Sequence, residues 1–224
     1  MAPYTKVLPK GLLPVGEQPI LEILVRQLHY YGFNSITMTC GYLAPLIQTY
    51  FGDGSKWNVT IHYEMESKPL GTIGPIKQLS RLTDPFLVIN CDVLTTLNFR
   101  SLWDFHRAHD SILTIASQRK DISIDLGVLE VAADRVTGFL EKPTQSALVS
   151  MGVYVMDADI RTFIREDEAM DLPELVHEML RCGASIKHFS NEAYWQDIGR
   201  PSEYMKANEM YAGLARRLLP DVGL

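Results

Sequence analysis

Apolar positions fall in two rhythms along the first half of the chain. Ile20, Leu21, Leu24 and Leu28 recur at helical spacing and Gly32 supplies a stop, so Pro19–Tyr31 is predicted as a helix. Ser35–Cys40 (SITMTC) is short, β-branched and followed by Gly41, the signature of a strand. A second helix over Leu43–Phe51 is closed by Gly52-Asp53-Gly54, a strong turn signal. Asn58–Glu64 (NVTIHYE) alternates as a strand does, and Thr72–Leu82 is predicted as a helix. Phe86–Asn90 (FLVIN) is apolar without interruption, which suits a strand covered on both faces. A helix over Phe99–His109 and a strand over Ile112–Gln118 continue the alternation, which predicts right-handed βαβ units in a doubly wound α/β sheet.

The rhythm then changes. Leu126–Val131 and Arg135–Leu140 read as two strands around the turn Ala133-Asp134, with no helix between them, and Ser150–Met156 reads as a further strand. Two helices, about Ile160–Ile164 and Leu172–Cys182, precede a strand over Ser185–Phe189. A final helix runs from Pro201, suited to the first helical position, to about Leu218. With no repeat and no linker, residues 1–224 are expected to form one Rossmann-like α/β domain. Its first half covers about residues 1–118 and a half with a small β-rich insertion covers about 119–200; the last helix, about 201–218, follows.

Composition narrows the class. The formal net charge is −6, with charges of both signs interspersed and no basic run, which argues against nucleic acid as a partner. Cys40, Cys91 and Cys182 have no metal-like spacing; Cys40 and Cys91 end apolar runs, where buried thiols are expected, and the set points to a reducing, cytoplasmic setting. No stretch reaches ~18 uninterrupted apolar residues and the first residues carry no apolar leader, so no membrane association is expected.

In open α/β sheets, ligands collect at the carboxyl ends of the strands. Asp92 follows FLVIN through Cys91, and is placed either to hold a divalent cation or to open a turn. Asp197, in Tyr194-Trp195-Gln196-Asp197-Ile198-Gly199-Arg200-Pro201, could equally be turn chemistry before a helix. Two such carboxylates on loops over one sheet would suit Mg²⁺, which prefers oxygen ligands and leaves room for phosphates.

An ordered set of motifs goes further. Thr5 to Gly16 (TKVLPKGLLPVG) with Pro19-Ile20-Leu21-Glu22 resembles the segment T-x-x-x-P-K-P-L-L-P-V-G-x-x-P-I-L-E of the sugar-1-phosphate nucleotidylyltransferases. Pro69-Leu70-Gly71-Thr72-Ile73-Gly74 is similar to the nucleotide-site P-L-G-T-A-G, and Asn90-Cys91-Asp92 to N-G-D. Phe139-Leu140-Glu141-Lys142-Pro143 resembles F-x-E-K-P, and Tyr194–Pro201 resembles Y-W-x-D-I-G-x-P. The resemblance runs from Pro3 to about Tyr211, and within that family it is similar to the mannose-1-phosphate guanylyltransferases, which implies guanine with a mannose- or heptose-type sugar phosphate.

The resemblance implies an enzyme that joins an NTP to a sugar 1-phosphate, giving an NDP-sugar and pyrophosphate, with Mg²⁺. It implies that Lys10 holds phosphates, that Asp92 and Asp197 bind the metal, and that Leu70, Gly71 and Thr72 let backbone approach the base. Gly127, Glu141 and Lys142, with Ser150, would hold the sugar phosphate. A carboxylate at Glu66, where uracil and thymine readers often present an amide, would suit guanine and hence GTP. Homo-oligomers are compatible with this reading. Gly11, Ile73 and Cys91 depart from the pattern, as does Ser150-Met151-Gly152 in place of Asn-Ala-Gly, which weakens the role of Ser150. The family opens with a central apolar strand and G-G-x-G-T-R-L, and Ala2-Pro3-Tyr4-Thr5 begins just after it. A gap beside the strands that should flank that position is therefore expected, together with impaired turnover. A regulatory relative that binds nucleotide-sugar without catalysis is the alternative; a dehydrogenase is disfavoured because no G-x-G-x-x-G follows a strand.

Overall fold

The computed structural model describes residues 4–41 and 43–220. Ala2 and Pro3, where the resemblance starts, lie outside the described residues. Helical turns at Tyr4–Lys6 and Lys10–Leu12 lead into a small hairpin, β1 (Pro14–Val15) and β2 (Gln18–Pro19). Helix α1 (Ile20–Tyr30) buries Ile20 and Leu24 of the stripe that the helical spacing marked, together with Ile23 and Val25, while Leu21 and Leu28 are partly buried. Then come β3 (Ser35–Cys40), α2 (Ala44–Phe51) and β4 (Thr60–Met65). Next are β5 (Phe86–Ile89), β6 (Val93–Thr95) and α3 (Phe99–Ala108), whose Asn98 side chain caps it by accepting from the Ser101 amide at 3.0 Å. The second half holds β7 (Leu113–Ser123), β8 (Val128–Ala132), β9 (Arg135–Leu140) and β10 (Thr144–Met156). It closes with α4 (Leu172–Arg181), β11 (Ile186–Ser190), β12 (Trp195–Asp197) and α5 (Pro201–Leu218).

The sheet is mixed. β11 and β7 are parallel, β10 is antiparallel to both β7 and β5, and together they form one four-stranded sheet in the order β11-β7-β10-β5. β3 and β4 form a separate parallel pair. β12 pairs antiparallel with β6, and β8 with β9 in a hairpin built on Ala133-Asp134. The gap expected from the sequence is there: among the described residues no strand pairs with β3 opposite β4, nor with β5 opposite β10.

Two expected helices are 3-10 segments instead. Only Gly74–Gln78 of the stretch Thr72–Leu82 is helical, as a 3-10 turn. The amides of Ile73 and Gly74 both donate to Met170 O, at 2.9 and 3.1 Å, which ties the start of this stretch to the segment before α4. Ala158–Phe163 is likewise a 3-10 segment in place of a helix at Ile160–Ile164. Cys91 is exposed, although its position after an apolar run suggested burial; the chain turns there between β5 and β6. No helix among the described residues is long and apolar enough to cross a membrane.

Candidate active site

Three elements bring Lys10, Asp92 and Asp197 together. Asp92 occupies the turn between β5 and β6, so it stands at the carboxyl end of a strand of the main sheet. β6 pairs with β12 in a register that sets Val93 opposite Asp197, and the Ile198 amide donates to Asp92 O at 3.0 Å. That ladder holds the two aspartates side by side although they are far apart in sequence. Lys10 opens the 3-10 turn Lys10–Leu12, and its Nζ donates to Asp92 Oδ2. Gly11 lets that turn pack closely, because a Cβ there would lie 3.2 Å from Leu21 Cβ.

Burial raises the Asp197 carboxyl above the usual range, and the neighbouring Asp92 charge pushes the same way, while Lys10 opposes them. Two like charges, with one lysine bonded to Asp92, form an oxygen-rich, net-negative group. That donor set suits a hard divalent cation held by one or two carboxylates, with water and phosphate completing its shell. Among the described residues no group of three or more His, Cys, Asp or Glu side chains converges.

The turn expected to meet the base is braced from within the chain. Gly71 has φ +74°, and a Cβ on it would lie 2.7 Å from Met170 O and 2.7 Å from Asp171 Oδ1. The Thr72 amide donates to Asp171 Oδ1 at 2.8 Å, and Met170 N donates to Leu70 O at 2.9 Å. Asp171 also caps α4 in a box with Glu174. The glycine is thus required by a clasp between residues 70–74 and 170–171, and the Thr72 amide is already satisfied. Thr72 and Asp92 nevertheless line one cavity.

Glu66 follows β4, its amide donating to Cys40 O at 3.0 Å, and its Oε2 lies 3.9 Å from the Cβ position of Gly41. Ser150 Oγ is 3.4 Å from Tyr154 Oη, and the Asp92 charge reaches that buried phenol, whose pKa burial raises first. The remaining expected residues sit on the exposed hairpin arm. A Cβ on Gly127 would be 2.3 Å from Phe139 Cζ, so the glycine makes room for a ring. Glu141 and Lys142 are exposed in the turn from β9 to β10, with Lys142 at φ +46°. Among the described residues no hydrogen bond or ion pair joins Gly127, Glu141 or Lys142 to Lys10, Asp92 or Asp197.

Two participants carried no sequence motif. Asp171 reads as an ordinary helix cap, and its second role on Thr72 becomes visible only once residues 70 and 171 are adjacent. Tyr154 lies in the apolar run of β10, and only the bulge between Ser150 and Tyr154 turns it toward Ser150.

A profile of the nucleotidyl transferase family matches residues 1–213. The mannose-1-phosphate guanyltransferase of Kluyveromyces lactis is 28% identical over 225 residues, covering 94% of this chain and 61% of the relative. That of Saccharomyces cerevisiae is 28% identical over 232 residues, covering 97% and 63%. The chain thus spans less than two thirds of the length of these relatives. Among solved structures, a Bacillus anthracis protein described as a glucose-1-phosphate thymidylyltransferase superposes with a TM-score of 0.73. Its identity is 21%, over 100% of this chain and 92% of that one. HddC from Yersinia pseudotuberculosis gives a TM-score of 0.69 at 25% identity, covering 92% of this chain and 91% of that one.

Proposed function

The chain belongs to the nucleotidyl transferase family, and on that premise we propose that it transfers a nucleoside monophosphate from an NTP to a sugar 1-phosphate. An anionic oxygen of the sugar phosphate attacks the α-phosphorus, the bond to the bridging oxygen breaks, and pyrophosphate leaves with the electron pair. Because the nucleophile is already ionised, no strong general base is needed. The obstacle is the approach of two polyanions, and cationic groups at the transferring phosphoryl lower it. The observation that carries this reading is the meeting of Lys10, Asp92 and Asp197 at the carboxyl end of β5.

In this reading Lys10 neutralises phosphate charge and orients the α-phosphate, exchanging its bond to Asp92 for one to substrate. Asp92 and Asp197 would hold Mg²⁺, which when bound supplies charge neutralisation at the phosphates. Glu141 and Lys142 would take the sugar hydroxyls and its phosphate, with Gly127 and Ser150 shaping that end. Leu70, Gly71 and Thr72 would border the base through the clasped turn. GTP and mannose 1-phosphate are the first substrates to test: the two yeast relatives are mannose-1-phosphate guanyltransferases, and the Glu66 carboxylate matches the donors on the guanine edge. Three free cysteines support a reducing, cytoplasmic setting. Exposed Leu129, Val131, Val136 and Phe139 on the hairpin support a homo-oligomer.

Pyrophosphate release measured against a panel of NTPs and sugar 1-phosphates tests the proposal. GTP with mannose 1-phosphate should give the largest Mg²⁺-dependent rate. A protein that binds GDP-mannose but releases no pyrophosphate with any pair would instead match the regulatory reading.

A further inference from the structure

Along α1 the residues Glu22, Arg26 and His29 fall on successive turns and share one face. The 3-10 turn Ser55–Trp57 stands across from them, and with Lys56, Trp57 and Asn58 they line a cavity of about 280 Å³. Backbone sets that second wall. Gly54 has φ +88°, where a Cβ would lie 2.7 Å from Val59 O, and the Trp57 amide donates to Gly54 O at 2.9 Å. Trp57 is thereby buried against Phe51 and Tyr50, at ring-centroid distances of 5.0 and 5.9 Å. Lys10, Asp92 and Asp197 are not among the lining residues.

The charges in this cavity do not cancel. Glu22 is buried and both its oxygens are engaged: Tyr50 Oη donates to Oε2 at 2.5 Å, and Arg26 Nη1 is 3.8 Å from Oε1. Lys56 forms no ion pair among the described residues. Its Nζ lies over the rings of Trp57 and Tyr50, 4.5 and 5.6 Å from their centroids. His29 Nδ1 is bonded to Asn34 Oδ1 at 2.9 Å, which leaves Nε2 for another partner. Two cations thus stand around one carboxylate, in a chain whose net charge is −6.

We infer that this cavity binds a small phosphate oxyanion, inorganic phosphate or pyrophosphate. Its donors are the kinds that hold phosphate: a planar guanidinium, an ammonium, an imidazole nitrogen and the Asn58 amide. They come from two facing elements, so a tetrahedral group meets both walls where a flat carboxylate meets one. Glu22 does not oppose the anion, because Tyr50 and Arg26 already hold its charge. The volume falls at the lower edge of small-molecule pockets, which suits one or two phosphate groups rather than a whole nucleotide. This inference is independent of the proposed transfer reaction, since no residue of that centre takes part.

The metal-free chain, in a chloride buffer, is titrated with inorganic phosphate and separately with pyrophosphate. Calorimetry and intrinsic fluorescence are followed together, because an anion that draws Lys56 off the indole alters Trp57 emission. The expected result is saturable binding of at least one of the two, and the tighter of them names the ligand. Lys10→Ala should leave this binding in place. Lys56→Gln should weaken it at least about tenfold without lowering the Tm, Lys56→Arg should restore it, and His29→Gln should weaken it from the other wall. Acetate at the same concentrations should not bind. The absence of saturable binding of either anion would overturn the proposal, as would binding that both Lys56→Gln and His29→Gln leave unchanged. So would binding lost with Lys10→Ala, which would assign the anion to the transfer centre, or acetate binding as tightly as phosphate, which would show only diffuse surface charge.

Discussion

Replacing Gly71 with Ala should destabilise the protein in the absence of any substrate. The residue has φ +74°, where an L side chain costs ~1–2 kcal/mol. The new Cβ would meet Met170 O and Asp171 Oδ1 at 2.7 Å each, well inside contact distance. Moving Asp171 aside breaks its bond from the Thr72 amide, worth ~1 kcal/mol. It also loosens the cap of α4, worth another ~1 kcal/mol. The sum, ~3–4 kcal/mol, is a large part of a domain's usual ~5–15 kcal/mol. In a chain of this size it corresponds to a fall in Tm of roughly 10 °C. Thermal denaturation followed by circular dichroism, without nucleotide, reads it directly. Gly71→Ala combined with Asp171→Ala should cost less than the sum of the two single changes, because both remove the same contact. A Tm within about 2 °C of the parent would refute the reasoning, because the glycine would then serve the ligand alone.

Asp197→Asn should raise the Tm of the metal-free protein slightly, since it removes a partly desolvated carboxylate beside Asp92; because solvent still reaches the residue, screening limits the gain to ~1 kcal/mol or less. The same change should lower Mg²⁺-dependent pyrophosphate release by at least about 100-fold, and a lower Tm with full activity would contradict both statements. The sign of the pH effect follows from the raised Asp197 carboxyl, which holds its proton more tightly folded than unfolded. Its cost to stability is therefore present at neutral pH and relieved as pH falls through the folded value toward ~3.9. Mg²⁺ affinity, measured by titration calorimetry across that range, should weaken at a higher pH than an ordinary aspartate would dictate. Lys142→Ala should raise KM for the sugar phosphate with little change in the KM for NTP, and an unchanged sugar-phosphate KM would remove Lys142 from the site.

Much of the fold was legible because local pattern and tertiary demand agreed. Ser35–Cys40, Arg135–Leu140 and the helix from Pro201 to Leu218 form where their spacing and flanking turns put them. The stretch after Gly71 is shaped by contacts far away in sequence, its first amides being tied to Met170 and Asp171, and nothing in residues 72–82 announces those partners. The short strands β6 and β12 escaped notice because each has only three residues and gains its structure from the other. Yet that pairing is what sets Asp197 beside Asp92. The carboxylates were readable as residue types at strand ends and the resemblance paired them, but the ladder that sets them side by side was not readable. At Gly71 and Gly127, which the resemblance assigns to the base and to the sugar phosphate, the space a Cβ would fill is taken by Met170 and Asp171 in one case and by Phe139 in the other, and no local pattern announces these neighbours.

The central claim is that Lys10, Asp92 and Asp197 act as one phosphoryl-transfer centre. The direct test is a cycle of Lys10→Ala and Asp197→Asn, singly and together, with pyrophosphate release from GTP and mannose 1-phosphate measured at saturating Mg²⁺ and circular dichroism confirming the fold. Groups that work as a unit lose their effect together. The account predicts that each single change costs at least about 100-fold and that the pair costs little more than the worse of the two. Losses that multiply independently, or either single variant at parental rate, would contradict it.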